Sequence, residues 1–422
     1  MHHVIIGAGP AAVSAAEQIK KLDSRSEVTM LAAEDVPPYS RMAIPYYLTG
    51  DITPEGTYLR KDAAHFEKLG INVLHGRANS IDSKAKIVAL AGSDDTIGYD
   101  KLLVATGATA TKPPIPGIDL NAVHNCWSLA DAHKIIDKAT PGTNVTLMGA
   151  GFIGCIILES LAARNVNLTV IEMENRMVSR MTNRTMGTMI KDWCVSKGIR
   201  VMTSTKVDSI SEAAGSALVV NTSTAESIEA DLVICATGAR SNTGFLDGSN
   251  INVDMGIVVD DFMQTSVQDI YAAGDVAQGK DFSTGEYYVQ AIQPTAVEHG
   301  KFAAQSMVYG NVVANPGNVN MNVLDTVGLI STSFGMWMGV EGGDESELVD
   351  KDNYRYLNLQ FKDDVLVGAS SLGMTQHVGV MRGLIQTASP LGEWKDKLME
   401  NPTRLSEAYL AGAQSLHQAS TA

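Results

Sequence analysis

Two glycine-rich runs carry the residue types that can hold a phosphate, Gly7-Ala8-Gly9-Pro10-Ala11-Ala12 and Gly149-Ala150-Gly151-Phe152-Ile153-Gly154. Each follows an apolar run and opens a helical pattern. Glycine lets the backbone come close to a ligand, while the free N–H groups and dipole of the following helix face negative charge, here a pyrophosphate. Two such turns in series imply two bound dinucleotides with electrons passing between them. After the second turn, Glu172 falls about 20 residues on, the spacing at which an acid accepts from an adenosine ribose hydroxyl. That favours NADH. Glu172 would repel a 2′-phosphate, which only Arg176 or Arg180 is near enough to offset.

The elements that must position these turns are βαβ units. The pattern predicts a strand over 4–6, a helix over 11–22 and a strand over 28–32, then a second set over 145–148, 152–164 and 168–171. Ala12 replaces the third glycine of the first turn and still permits close helix–strand packing. Glu34 and Asp35 follow the second strand, where an acid either accepts from a ribose or is simply a solvated loop carboxylate.

The 422 residues suggest two or three domains, and 45% apolar content suffices for buried cores. A net charge of −15 and a pI near 5.0 argue against nucleic acid or an anionic membrane, and a small acidic partner would need a local basic patch. The first strand begins at Val4, which leaves no room for a signal peptide, and the longest apolar run, 145–158, holds three glycines and stops at Glu159. A cytoplasmic protein without membrane insertion is expected. Cys126, Cys155, Cys194 and Cys235 are scattered, with no C-x-x-C and no metal-ligand spacing. They read as inert thiols, with no disulfide, zinc or iron–sulfur cluster required. The nine histidines show no paired spacing and read as surface or satisfied polar residues.

Five further stretches, in order, resemble the FAD-dependent pyridine-nucleotide oxidoreductases over the whole chain. They are Leu102-Leu103-Val104-Ala105-Thr106-Gly107-Ala108, Pro113-Pro114-Ile115-Pro116-Gly117, Ala236-Thr237-Gly238-Ala239-Arg240, Thr265-Ser266, and Ile270-Tyr271-Ala272-Ala273-Gly274-Asp275. The resemblance implies an α/β fold with two Rossmann-like (three-layer ββα) dinucleotide-binding domains and a C-terminal α+β interface domain. It sets an FAD domain over 1–112 and 240–315, an NAD domain over 113–239, and an interface or dimerisation domain over 316–422. It assigns Gly7, Gly9, Pro10, Ala11, Glu34, Ser40, Arg41, Ala78, Ala105, Thr106, Gly107, Gly274, Asp275 and Thr295 to FAD. To NAD(H) go Gly149, Gly151, Phe152, Ile153, Gly154, Glu172, Thr237 and Gly238. Asp275 would bond the ribityl chain; the alternative is a helix cap. Thr295-Ala296-Val297-Glu298 reads as a capping box before a helix running to about Met307, whose N-terminus the resemblance sets at the pyrimidine side of the flavin.

Two departures from the family matter. In disulfide reductases and peroxidases of this shape a redox cysteine stands where this chain has Met42, and a thioether can be neither thiolate nor sulfenic acid. The Tyr39-Ser40-Arg41 stretch is similar instead to the cysteine-free branch of rubredoxin and ferredoxin reductases and the flavin module of assimilatory nitrite reductases. No side chain then acts as acid, base or nucleophile. Many relatives also carry a glutamate near the nicotinamide where this chain has Ile156. The implied activity is hydride transfer from NADH to flavin and electron release to an iron–sulfur or rubredoxin-type carrier, in either direction. An NADH oxidase or small-molecule reductase, and a flavin-containing scaffold subunit of a larger redox complex, are the alternatives; a homodimer is equally compatible. The last hundred residues follow an Asn-, Gly- and Pro-rich loop over 310–322. Strand-like alternation covers 323–340 and 354–372 with a hairpin turn at Lys362-Asp363-Asp364, then a helix over 374–387 and a helical tail over 393–413 broken near Pro402. The 334–338 stripe reads as core or dimer packing, or else borders the flavin or a partner; 420–422 is expected to be disordered.

Overall fold

The computed structural model describes residues 1–213 and 217–412. The chain forms two compact units: 1–110 with 239–281 and 285–318, and 111–238 with 282–284 and 319–422. No helix among the described residues is long and apolar enough to cross a membrane.

The first unit is built on a five-stranded parallel sheet in the order Ile270–Ala272, Lys101–Val104, His2–Ile6, Glu27–Ala32, Ile71–His75. Val4, Ile5 and Ile6 are buried, as a strand covered on both faces requires. Helix Pro10–Leu22 buries Ala11, Ala12, Ala15 and Ala16. Those small side chains let helix Gln293–Tyr309 approach at backbone distance, since a Cβ on Gly300 would stand 2.3 Å from the Ala11 carbonyl oxygen. Register pairs Ile6 with Leu31 and Val104, and Ala272 with Val104, so the C-terminal strand ends lie level along one edge.

The second unit repeats the plan with Arg200–Met202, Asn167–Ile171, Asn144–Met148, Leu232–Cys235 and Val123–Asn125 in a parallel sheet. It also holds a five-stranded antiparallel sheet in the order Met321–Thr326, Leu329–Gly335, Val365–Leu372, Arg355–Lys362, Asp344–Asp350. The hairpin turn at Asp363 is present, with φ of 51°. The strand Asp344–Asp350 falls between the two stretches expected as strands; at a sheet edge its carboxylates discourage further pairing. The first helix of the last hundred residues opens at Val378 rather than 374, after a turn in which Gly373 has φ of 63°. Phe334 and Trp337 of the 334–338 stripe are buried in the core, while Met338 is exposed. The tail breaks at Pro402, where the Asn401 side chain accepts from the Thr403 N–H. Ala413 and the expected disorder over 420–422 lie outside the described residues.

Candidate functional site

In the first unit, strand His2–Ile6 runs into Gly7, whose φ is 127° and whose N–H donates to the Leu31 carbonyl at 2.9 Å. A Cβ there would lie 2.2 Å from the Ala105 carbonyl oxygen, so internal packing demands this glycine. Gly9 is different. It has φ −80° and ψ −174°, which any residue adopts, and no atom lies within 4 Å of where its Cβ would be. The backbone is bare on that side. Pro10 opens the helix, which has neither a side-chain N-cap nor an acid in its first turn, so its positive end stays uncompensated.

Around this turn, at the same strand-end edge, come the other residues expected from sequence. Gly274, with φ of 76°, would place a Cβ 3.1 Å from the Ala11 methyl and 3.4 Å from that of Ala296, bringing three turns together. Burial pushes the Asp275 carboxyl up, and the Arg41 guanidinium pulls it back down. Arg41 reaches Glu34 at 2.6 Å, Tyr39 donates to the same carboxylate at 2.8 Å, and the guanidinium lies 5.4 Å from the Tyr39 ring centre. Ser40 donates to the Gln293 side chain at the head of helix Gln293–Tyr309. Met42 is half exposed on the short turn Arg41–Ala43. Ala105 is buried, with Thr106 and Gly107 turning away from strand Lys101–Val104; Ala78 opens strand Ala78–Asp82, just past the end of Ile71–His75. Thr295 is buried, but the capping box is absent. The helix begins three residues earlier, at Gln293, with Pro294 in its first turn and Ile292 as an uncapped N-cap, and Glu298 accepts from Asn318 instead. Again a helix N-terminus carries no protein side chain on it.

The second unit reproduces the glycine pattern. Gly149, with φ of 98°, donates to Ile171 at 2.8 Å and would place a Cβ 2.5 Å from the Ala236 carbonyl oxygen. On Gly154 a Cβ would stand 2.1 Å from the Gly149 oxygen, whereas Gly151 again faces open space. Helix Phe152–Ala163 likewise has an uncapped N-terminus without acids; Phe152, Ile153 and Ile156 lie half-buried on its first two turns. Glu172 is buried and its carboxylate accepts from the Ala150 N–H at 2.6 Å and the Glu174 N–H at 2.8 Å. The loop after it folds back, with the Val178 N–H donating to Ala150 at 2.8 Å. Arg176 is committed to that loop through the carbonyls of Thr182 at 2.9 Å and Ser179 at 3.0 Å, whereas Arg180 is exposed. Thr237 donates to the Thr111 carbonyl at 3.0 Å, and Gly238 has φ of 122°.

All four cysteines are free and buried, and burial pushes the thiols of Cys126 and Cys194 up to about 12 and those of Cys155 and Cys235 up as well. Three histidines depart from the surface-or-satisfied expectation, among them His124, whose Nε2 is buried and unbonded among the described residues. His3 is fully buried with neither ring nitrogen bonded among the described residues, and His299 is buried with its Nδ1 unbonded. Burial lowers both to about 4. No group of three or more metal-ligating side chains gathers among the described residues. Sequence reasoning missed Gln293, Asn242 and Ser241, which hold the turns through hydrogen bonds and carry no motif signal in a single sequence.

A model of the pyridine nucleotide-disulphide oxidoreductase family matches residues 1–300. The chain belongs to that family. Its cofactors are FAD and NAD(H), and it is an oxidoreductase. This family member is 30% identical over 410 residues to the NADH-dependent phenylglyoxylate dehydrogenase subunit epsilon of Aromatoleum evansii, covering 95% of each chain. It is 26% identical to the rubredoxin-NAD(+) reductase of Ectopseudomonas oleovorans, over 91% of this chain and 98% of the relative. Among solved structures it is similar to an NAD-dependent persulfide reductase from A. fulgidus, with a TM-score of 0.85, 28% identity, and coverage of 93% of this chain and 78% of that one.

Proposed function

We propose that the chain passes electrons between NAD(H) and an iron–sulfur or rubredoxin-type protein through FAD. The observation that carries the reading is the paired pattern of glycines, in which Gly9 and Gly151 alone of their turns face open space ahead of uncapped helix N-termini. A backbone bare of side chain and still carrying free N–H groups fits a pyrophosphate and no protein neighbour. Gly7, Gly9, Pro10, Ala11, Ala105, Thr106 and Gly107 would hold the nucleotide half of FAD, with Glu34 and Ala78 at its ribose end. Ser40, Arg41, Gly274, Asp275 and Thr295 would hold the flavin half. Gly149, Gly151, Phe152, Ile153, Gly154, Glu172, Thr237 and Gly238 would hold NAD(H). Bound FAD supplies the redox chemistry, taking up two electrons as a hydride and releasing them singly. The protein's own work is to bind, orient and exclude water. Buried thiols and Met42 argue against thiol chemistry in this branch.

The end-to-end match to a subunit of an NADH-dependent dehydrogenase supports a more specific reading, in which the chain serves as the flavin subunit of a cytoplasmic redox complex. In that setting electrons run from the partner subunits' centres toward NAD⁺. The test is an anaerobic assay in which the NADH-reduced protein is offered ferredoxin and rubredoxin. Carrier reduction well ahead of the rate of reoxidation by air supports the reading; reoxidation by oxygen alone favours an NADH oxidase.

A further inference from the structure

Asn242 lies outside every glycine turn, yet three of its four polar groups serve one of them and the fourth holds Thr109, two residues past its end. Its N–H donates to the Gly107 carbonyl at 2.9 Å, and its own carbonyl accepts from Thr106 Oγ1 at 2.9 Å. Its Nδ2 donates to the Thr106 carbonyl at 2.8 Å, while Oδ1 accepts from Thr109 Oγ1 at 2.7 Å. The turn so held includes Ala105, whose carbonyl oxygen sits 2.2 Å from where a Cβ on Gly7 would be. A shift of Ala105–Gly107 therefore moves directly against the phosphate-cradling turn.

The other Ala-Thr-Gly turn supplies the comparison. There the Thr111 N–H donates to the Gly238 carbonyl at 2.9 Å and Thr237 Oγ1 donates to the Thr111 carbonyl at 3.0 Å, the same two backbone links that Asn242 makes. Thr111 occupies the place of Asn242 but, among the described residues, its side chain makes no hydrogen bond to the turn. The repetition of Ala-Thr-Gly thus has a mechanical cause, each threonine hydroxyl fastening the strand that crosses it. What is added on the first turn alone is a carboxamide.

We infer that Asn242 is a positioning residue for FAD, fixing the Ala105–Gly107 turn through one donor and one acceptor on a single planar group. The inference rests on the proposed assignment of that turn to FAD. A carboxamide is needed because the group must give a hydrogen to Thr106 and take one from Thr109 at once. An aspartate supplies the second bond but sets a lone pair against the Thr106 carbonyl, unless it is protonated.

The experiment measures FAD release from purified holoprotein on dilution, and rebinding, by flavin fluorescence. Asn242→Ala is expected to raise the Kd for FAD about tenfold or more, as for a turn that loses a net hydrogen bond and keeps an unmatched carbonyl. Thr109→Ala, at an exposed hydroxyl, is expected to raise it about threefold, as for loss of a weaker bond. Asn242→Asp should bind FAD weakly above neutral pH and recover toward wild type in acid, while Asn242→Ala shows no such recovery. At saturating FAD, the KM for NADH stays at the wild-type value in all three. An unchanged Kd in Asn242→Ala, or no acid recovery in Asn242→Asp, overturns the inference and leaves the FAD reading standing. Should Asn242→Ala fail to fold, an unchanged Kd in Thr109→Ala overturns it instead. Wild-type protein that binds no FAD overturns both.

Discussion

Gly151→Ala separates a glycine kept for a ligand from one kept for the fold. Gly151 has φ −74° and ψ −170°, and its added methyl would meet nothing within 4 Å. Alanine is a poorer N-cap than glycine by roughly 0.5–1 kcal/mol but regains about 0.4–1 kcal/mol by restricting the unfolded chain. The net change in stability is therefore expected within about 0.5 kcal/mol, a thermal shift of no more than about 2 °C. On the proposed assignment of this turn to NAD(H), the methyl would stand where the pyrophosphate approaches the backbone. Pushing it away from the helix N–H groups forfeits charge-assisted bonds worth about 1.5–3 kcal/mol, or roughly ten- to a hundredfold in apparent affinity. Gly154→Ala provides the contrast. Its methyl would sit 2.1 Å from the Gly149 oxygen, an overlap that costs about 3 kcal/mol or more in the fold itself. Anaerobic stopped-flow reduction of the flavin over a range of NADH concentrations, beside thermal unfolding, reads both. Normal NADH saturation in Gly151→Ala, or destabilisation equal to that of Gly154→Ala, would refute the reasoning.

Four other outcomes are expected. Alkylating native protein at neutral pH should leave NADH-driven flavin reduction intact, because all four thiols are buried and held above their ordinary range; inactivation mapped to one cysteine would restore a redox thiol. His3→Leu should stabilise the fold by about 1–2 kcal/mol at neutral pH, since an imidazole with two unbonded buried nitrogens gives way to an apolar side chain. In wild type the folded pKa of about 4 lies below the ordinary 6.5, so the folded state holds fewer protons in between. Stability is full above the upper value and declines as pH falls through that window, and denaturant midpoints should fall less steeply there in the variant. Glu172→Ala should raise the KM for NADH, narrow the advantage over NADPH and leave the flavin spectrum unchanged. Arg176→Ala should alter that preference little if its guanidinium serves the Ser179 and Thr182 carbonyls, and kinetics with both nucleotides decide.

The two glycine turns, their strands and their helices were legible because a parallel strand buried on both faces is a plain apolar run and its turn must be glycine. Helix Pro10–Leu22 and strand Asn144–Met148 lie within a residue or two of their expected limits. What stayed hidden depends on partners remote in sequence. The edge strand Asp344–Asp350 drew no expectation, since four of its seven residues are acidic and its alternation is weak. Thr295 and Glu298 have capping-box spacing, yet the helix starts three residues earlier, at Gln293 with Pro294 next, and Asn318 claims the carboxylate. Asn242 finds its turn through residues 106, 107 and 109, a relation that no local pattern encodes. His3 was expected just ahead of the first strand as a surface or satisfied polar residue; the strand takes it in, and its unbonded burial depends on the packed core.

The central claim is that this chain holds both FAD and NAD(H) and moves electrons between them. Mixing the purified yellow protein with a slight excess of NADH in the strict absence of oxygen tests it most directly. The visible flavin absorbance is expected to bleach within the turnover time and to return when oxidised ferredoxin or rubredoxin is added. A flavin that stays oxidised with both NADH and NADPH, in protein that retains its FAD, would contradict it.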